Sequence, residues 1–105
     1  MLDEIPIEAA AQGFAAMGSE ARLHVLQTLV KAGPGGLTVG DIQARSGMAA
    51  STLAHHLRFL ASAGLIEQEK DGRSVISRAA YQRLEALAGF ILKECCVDAD
   101  EGDCS

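Results

Sequence analysis

Apolar residues recur at helical spacing in five stretches of the chain, and small or polar residues mark where most of those stretches begin and stop. Ile5 to Met17 repeats them with Pro6 tolerable in a first turn, and Gly18 ends the run. Ser19 can cap a second helix, in which Leu23, Leu26, Leu29 and Val30 form an inward stripe, and Gly33-Pro34-Gly35-Gly36 ends it abruptly. Thr38 followed by Asp41 has the spacing of a capping arrangement for a short third helix that carries Val39 and Ile42 and stops near Ser46-Gly47. A fourth helix starts around Ala50 to Ser51; Leu53, Leu57 and Leu60 fall within about 60° of one another on its wheel, while Ser51, His55 and Arg58 cluster opposite. Tyr81 to Glu94 forms the fifth, with Leu84, Leu87, Ala88 and Ile91 on one stripe and Cys95 returning to the angular position of Leu84, at the end of an apolar seam.

Between the fourth and fifth helices, Leu65 to Lys70 and Arg73 to Arg78 flank Asp71-Gly72, the strongest short-range signal for a two-residue hairpin turn. The stretch Leu37 to Ile66 therefore reads as a helix-turn-helix running into a wing, in a fold that is mainly α with a β-hairpin. The competing reading is an ordinary helical hairpin in a bundle with a solvated charged face, but a bundle has no need of a hairpin directly after Gly64. His56 leans toward the side of Leu53 and Leu57, so it is expected to be a hydrogen-bonded packing residue, and His24 is likewise expected to be structural.

A chain of 105 residues has room for one domain with a modest core, so pairing with a second copy would help its stability. Residues 1–94 are assigned to that domain and 95–105 to an acidic, cysteine-containing tail. The acidic start MLDEIPIEAAAQGF lacks a signal-peptide pattern and no apolar run reaches membrane-spanning length, which implies a cytoplasmic protein with no membrane partner. A net charge of -5 argues against a nucleic-acid ligand until its distribution is considered. From Gln43 to Arg78 there are five Lys or Arg against three acids, whereas Lys93 to Ser105 holds five acids and one base. The acidity is largely a tail effect, and a modest basic face remains around the helix-turn-helix.

A helix that enters the major groove needs small or hydrogen-bonding side chains at its leading end, because bulk there keeps base edges out of reach. Ser51, Thr52, Ala54, His55 and Arg58 meet that need. Phosphate anchoring would come from Arg45, Arg58, the helix N-terminal amides and the wing residues Lys70, Arg73 and Arg78. At these residues the chain resembles a known family. Ser51-Thr52-Leu53-Ala54-His55-His56-Leu57, Leu60, Ala63-Gly64-Leu65-Ile66 and Asp71-Gly72-Arg73, with Gly18-Ser19-Glu20-Ala21-Arg22-Leu23 upstream, resemble the ArsR (ArsR/SmtB) winged-helix repressors. The resemblance implies a homodimer through the first and last helices, with two reading helices on a near-palindromic duplex operator. Ala54 departs from the serine often found there.

The resemblance does not extend to two familiar sensor sites. Thr38-Val39-Gly40-Asp41-Ile42-Gln43 lacks the Cys-Val-Cys type box of some arsenite-sensing members, and Tyr81 to Lys93 offers no His for a zinc site. What remains is Cys95-Cys96 and Cys104, and the eight steps between Cys96 and Cys104 span up to roughly 26 Å, ample to fold the last thiol back. Three soft thiolates with no fourth ligand suit As(III) or Sb(III), whereas Zn(II) would want a fourth ligand such as Asp98 or Asp103, so no structural zinc is expected. Arsenic-responsive relatives with vicinal cysteines near the end of the last helix point the same way. The expectation is a repressor that binds its operator when empty and lets go when As(III) or Sb(III) is held by Cys95, Cys96 and Cys104. The alternatives are incidental cysteines, a redox or sulfur-species switch, and, from a different class, a thiol enzyme or metal-handling protein. For the switch, adjacent Cα atoms about 3.8 Å apart lie below the usual disulfide range, so oxidation would join Cys104 to one of the pair. For the enzyme, no nucleophile with an activating base is legible.

Overall fold

The computed structural model describes residues 5–99. Their elements run α1 (Ile7–Ala16), α2 (Glu20–Ala32), β1 (Leu37–Thr38), α3 (Val39–Ser46), α4 (Ala50–Ser62), β2 (Ile66–Asp71), β3 (Ser74–Ala79) and α5 (Tyr81–Leu92). This is a winged helix-turn-helix, with the expected caps at its turns. The Ser19 hydroxyl accepts the Arg22 amide at 3.4 Å, and Thr38 and Asp41 form a reciprocal capping box at the start of α3, each satisfying an amide that the helix cannot. At the far end of α4 the Leu65 amide donates to the Leu60 carbonyl at 3.0 Å across Gly64, whose φ of +76° lets the chain reverse out of the helix and enter the wing.

One core serves all five helices. Val25, Leu29, Ile42, Leu53, Leu60, Leu65 and Leu87 are fully buried at the meeting of α2, α3, α4, the base of the wing and α5. Gly13 lets α5 approach α1 closely, since a Cβ there would stand 2.9 Å from a Leu87 methyl. Ser77, the one fully buried polar side chain among the largest buried groups, accepts from the Gln68 amide at 3.1 Å.

Four local expectations change. The buried stripe of α2 is Val25, Leu26, Thr28 and Leu29, while Leu23 and Val30 are 41% and 42% exposed. The helix turns Val25, and not Leu23 or Val30, into the core, and α3, α4 and β3 are the elements that it meets. The hairpin turn is Gly72-Arg73 rather than Asp71-Gly72: Asp71 pairs with Ser74 as the last residue of β2, and Gly72 alone takes a positive φ. That register puts Ile66 opposite Ala79 and buries both; the expected one would set Ile66 against Ser77. A short third strand, β1, pairs Leu37 with Ser77 and Thr38 with Ile76, giving the sheet order β1-β3-β2. Finally, α5 ends at Leu92, and its stripe is buried within this chain only at Leu87, with Leu84 half-buried and Ala88 and Ile91 exposed, because α1 covers one flank of the helix alone.

The β1–β3 contact demands a glycine at Gly36. Its φ is +72°, and a Cβ would stand 2.5 Å from the Ser77 carbonyl oxygen and 2.8 Å from an Ile76 methyl. Gly36→Ala is expected to lower unfolding free energy by about 2–3 kcal/mol, from the left-handed backbone and the clash together. Gly35, with nothing within 4 Å of its Cβ direction, is the control, and Gly35→Ala should leave the urea midpoint nearly unchanged. Equal destabilisation by both would refute the close approach as the cause.

Candidate nucleic-acid interface and thiol cluster

The orientation of α4 follows from which of its residues the core takes. Leu53, Leu57 and Leu60 are buried against α2, α3 and β2, so Ser51, Thr52, Ala54, His55 and Arg58 are left on the exposed side. Ala49 supplies no side-chain cap, and the first backbone bond of the helix is Leu53 to Ala49 at 2.9 Å. The amides of Ala50, Ser51 and Thr52 thus head a positive helix end with no side chain accepting from them. Small side chains, a hydroxyl pair, an imidazole and a guanidinium at such an end can meet base edges and a phosphate.

The supporting basic residues divide into two kinds. Arg45 in the last turn of α3, Lys70 near the end of β2 and Arg73 in the hairpin tip are exposed. Arg78 is held instead: one Nη donates to Glu69 Oε1 at 2.8 Å and Nε donates to the Pro34 carbonyl at 3.1 Å, with the side chain only 26% exposed. It ties the wing to the turn after α2, and its charge is offset by Glu69. Sequence reasoning missed Glu69, although hairpin register places Glu67 opposite Arg78 and Glu69 diagonal to it.

The histidines differ from one another. His55 is exposed, and His24 is exposed as well, so the packing role expected for His24 is not what its ring does; its carbonyl accepts the Thr28 hydroxyl at 2.9 Å. His56 does pack, half-buried, but its Nδ1 is buried with no hydrogen-bond partner, which corrects the expected hydrogen bond. Burial first, then the positive charge of Arg22 and the neighbouring His55, hold its pKa below the ordinary histidine value.

Beyond Leu92 the chain leaves α5 in successive turns, with Cys95 to Leu92, Val97 to Glu94 and Ala99 to Cys96 amide–carbonyl bonds of 2.9 to 3.2 Å. Cys95 is therefore in a turn rather than on the helical seam, and it borders a cleft formed with Ile5, Pro6, Ile7, Phe90 and Ile91. The Cys95 and Cys96 sulfurs lie 3.4 Å apart, Cys96 at a φ of +64°. The sulfur of Cys96 is disulfide-bonded. Cys104, the third expected ligand, lies outside the described residues. Among the described residues no group of three or more His, Cys, Asp or Glu side chains is placed to hold a metal ion, and no helix is long and apolar enough to cross a membrane.

Residues 17–69 match the helix-turn-helix domain family. Solved structures similar to this chain include an ArsR-like transcriptional regulator from Rhodococcus sp. RHA1, at 27% identity over 88% of this chain and 83% of that one, with a TM-score of 0.74. Another is described as a possible transcriptional regulator for arsenical resistance, at 28% identity over 86% and 98% of the two chains and a TM-score of 0.66. A third is the homodimeric winged helix-turn-helix DNA-binding domain of a possible ArsR-family regulator from Mycobacterium bovis, at 26% identity over 90% and 87% and a TM-score of 0.66. No curated protein matches the chain.

The division among the basic residues is testable with a duplex that the protein selects from a random pool. Arg73→Ala should weaken binding about evenly across sequences and reduce the slope of log affinity against log salt by about 1. Arg78→Ala should change that slope less, since Glu69 already neutralises the guanidinium. Fluorescence anisotropy over a salt series reads both, and a larger slope change for Arg78→Ala would contradict the assignment.

Proposed function

The chain belongs to the helix-turn-helix domain family and has the winged fold of ArsR-family transcriptional regulators, and from that premise we propose that it is a homodimeric repressor released from its operator by trivalent arsenic or antimony. The observation that carries the DNA-binding half is the segregation of α4 into a buried leucine face and an exposed face of Ser51, Thr52, Ala54, His55 and Arg58. Two such helices about one DNA turn apart would read the two halves of a palindrome. The dimer is supported by apolar surface left uncovered on the first and last helices: Ile7, Ile91 and Leu92 are about two-thirds exposed (66%, 66% and 65%). It is supported too by the homodimeric relative. A regulator of this kind is not an enzyme; its chemistry is binding.

The inducer half rests on the sulfur pair. Two sulfurs each about 2.3 Å from one soft ion, at an angle between right and tetrahedral, stand roughly 3.3–3.8 Å apart, and Cys95 and Cys96 are separated by 3.4 Å. With Cys96 reduced, the pair could supply two of three thiolates to As(III) or Sb(III), with Cys104 as the third. Binding must favour the low-affinity dimer over the DNA-bound one, and a coupling of about 1–3 kcal/mol, or 5- to 150-fold in operator affinity, is the usual size. Lys93 and Glu94 alone separate the pair from α5, so drawing it toward the tail would pull on the helix that carries the predicted dimer seam.

A second reading is favoured by the disulfide at Cys96: a thiol switch of the same fold, in which oxidation rather than a metalloid alters DNA affinity. The cysteines separate the two. Cys95→Ser is expected to leave operator binding intact and abolish release by arsenite in the presence of a reductant. Cys104→Ser should weaken that response if the site has three sulfurs and spare it if two suffice. Gel-shift titrations read each outcome; arsenite release that survives the Cys95→Ser, Cys96→Ser double variant would rule out this site.

A further inference from the structure

Phe59 is 46% exposed on α4, an unusual place for the bulkiest apolar side chain of a helix that otherwise hides its leucines. Its surroundings give it a task. The Arg22 guanidinium of α2 lies 4.8 Å from the centre of the Phe59 ring, within cation–π range. Arg22 is not loose: its Nε donates at 2.6 Å to the carbonyl of Ala16, the last residue of α1, where the negative end of that helix favours a cation. On its other side Phe59 meets the His55 ring edge-on, with centroids 5.0 Å apart and planes at 76°, one helical turn away. His56, at 6.2 Å from His55 and 52° to it, makes a looser contact.

These contacts form one chain, from the end of α1 through Arg22 and Phe59 to His55, an exposed imidazole on the face assigned to DNA. An exposed imidazole with no other fixed contact would sample its rotamers, and ordering it on binding would cost entropy. We infer that Arg22 and Phe59 are positioning residues for recognition: they hold the His55 ring in the orientation in which it meets a base edge. The inference rests on the DNA-reading assignment above and extends it, for neither residue needs to touch DNA. Phe59 then stays at the surface because its edge partner must reach into the groove.

The test uses the whole 105-residue chain and a duplex that the wild type selects from a random pool. Binding to every single-base-pair variant of that duplex is measured for wild type, His55→Ala, Phe59→Leu, Arg22→Met and the His55→Ala, Phe59→Leu double variant, with thermal melts to confirm folding. His55→Ala should lose discrimination at one or two base pairs. Phe59→Leu should lose it at the same pairs by roughly two- to tenfold, the range expected for an aromatic contact, and should add nothing in the double variant. Arg22→Met, which keeps the stem and removes the cation, should act in the same direction if Phe59→Leu proves too unstable to use. Additive losses, losses at other base pairs, or full discrimination in Phe59→Leu and Arg22→Met would overturn the inference while leaving the repressor reading in place. A wild type that enriches no sequence would overturn both.

Discussion

Burial of Leu53, Leu57 and Leu60 sets the rotation of α4, and most of what this molecule can do depends on that rotation. The three leucines lie one or two turns apart and are clamped by α2, α3 and the first strand of the wing. With that face fixed, the remaining surface of the helix carries small and polar side chains ahead of an uncapped, positive helix end. The Gly64 reversal then sends the chain from the same helix into the wing, which carries Lys70 and Arg73 outward on its tip. The exposed face proposed to read DNA is thus a by-product of core packing, and a substitution that loosens the leucine face would be expected to disturb that face before it abolished folding.

Much of this was legible in the sequence because it is local. The Thr38–Asp41 capping box, the stops at Gly33 and Gly47 and the leucine spacing of α4 each follow from residues within one or two turns of each other. What escaped depends on partners distant in the chain. Leu23 and Val30 share a helical stripe with Leu26 and Leu29, but where α3, α4 and β3 pack decides which edge of it is covered. The turn moved by one residue because pairing of Ile66 with Ala79 outweighs the local preference of Asp-Gly. Arg78 looked like its neighbours on the wing until Glu69 and the Pro34 carbonyl, one of them 44 positions away, claimed its guanidinium. The candidate site was legible in the same proportion: the α4 residues lie on the exposed side that the pattern indicated, while Arg73 moved from the strand into the turn and Cys95 left the helical seam when α5 ended at Leu92.

The proposed DNA contact lies on α4 and the proposed inducer contact beyond the end of α5, and coupling between two such sites requires a mechanical link. α1 is placed to provide it. It packs on α5 through Gly13 and Leu87, and its last carbonyl accepts from Arg22, whose guanidinium lies over the Phe59 ring of α4. A metalloid at the thiols would act on one end of this path and DNA on the other, so each would weaken the other's binding by the same factor. Five of the acids follow Lys93 in the sequence, so the net charge of -5 is weighted toward the end of the chain and not toward the helix-turn-helix and wing.

In the proposed function, soft trivalent metalloids at the cysteines, and not oxidation, release the dimer from DNA. The most direct measurement is release of a wild-type-selected duplex from reduced protein, titrated in parallel with arsenite, antimonite, Cd(II), Zn(II) and peroxide. Arsenite and antimonite are expected to release the duplex at concentrations comparable to the protein's, with Zn(II) and peroxide far less effective. Release by peroxide with no response to either metalloid would contradict it.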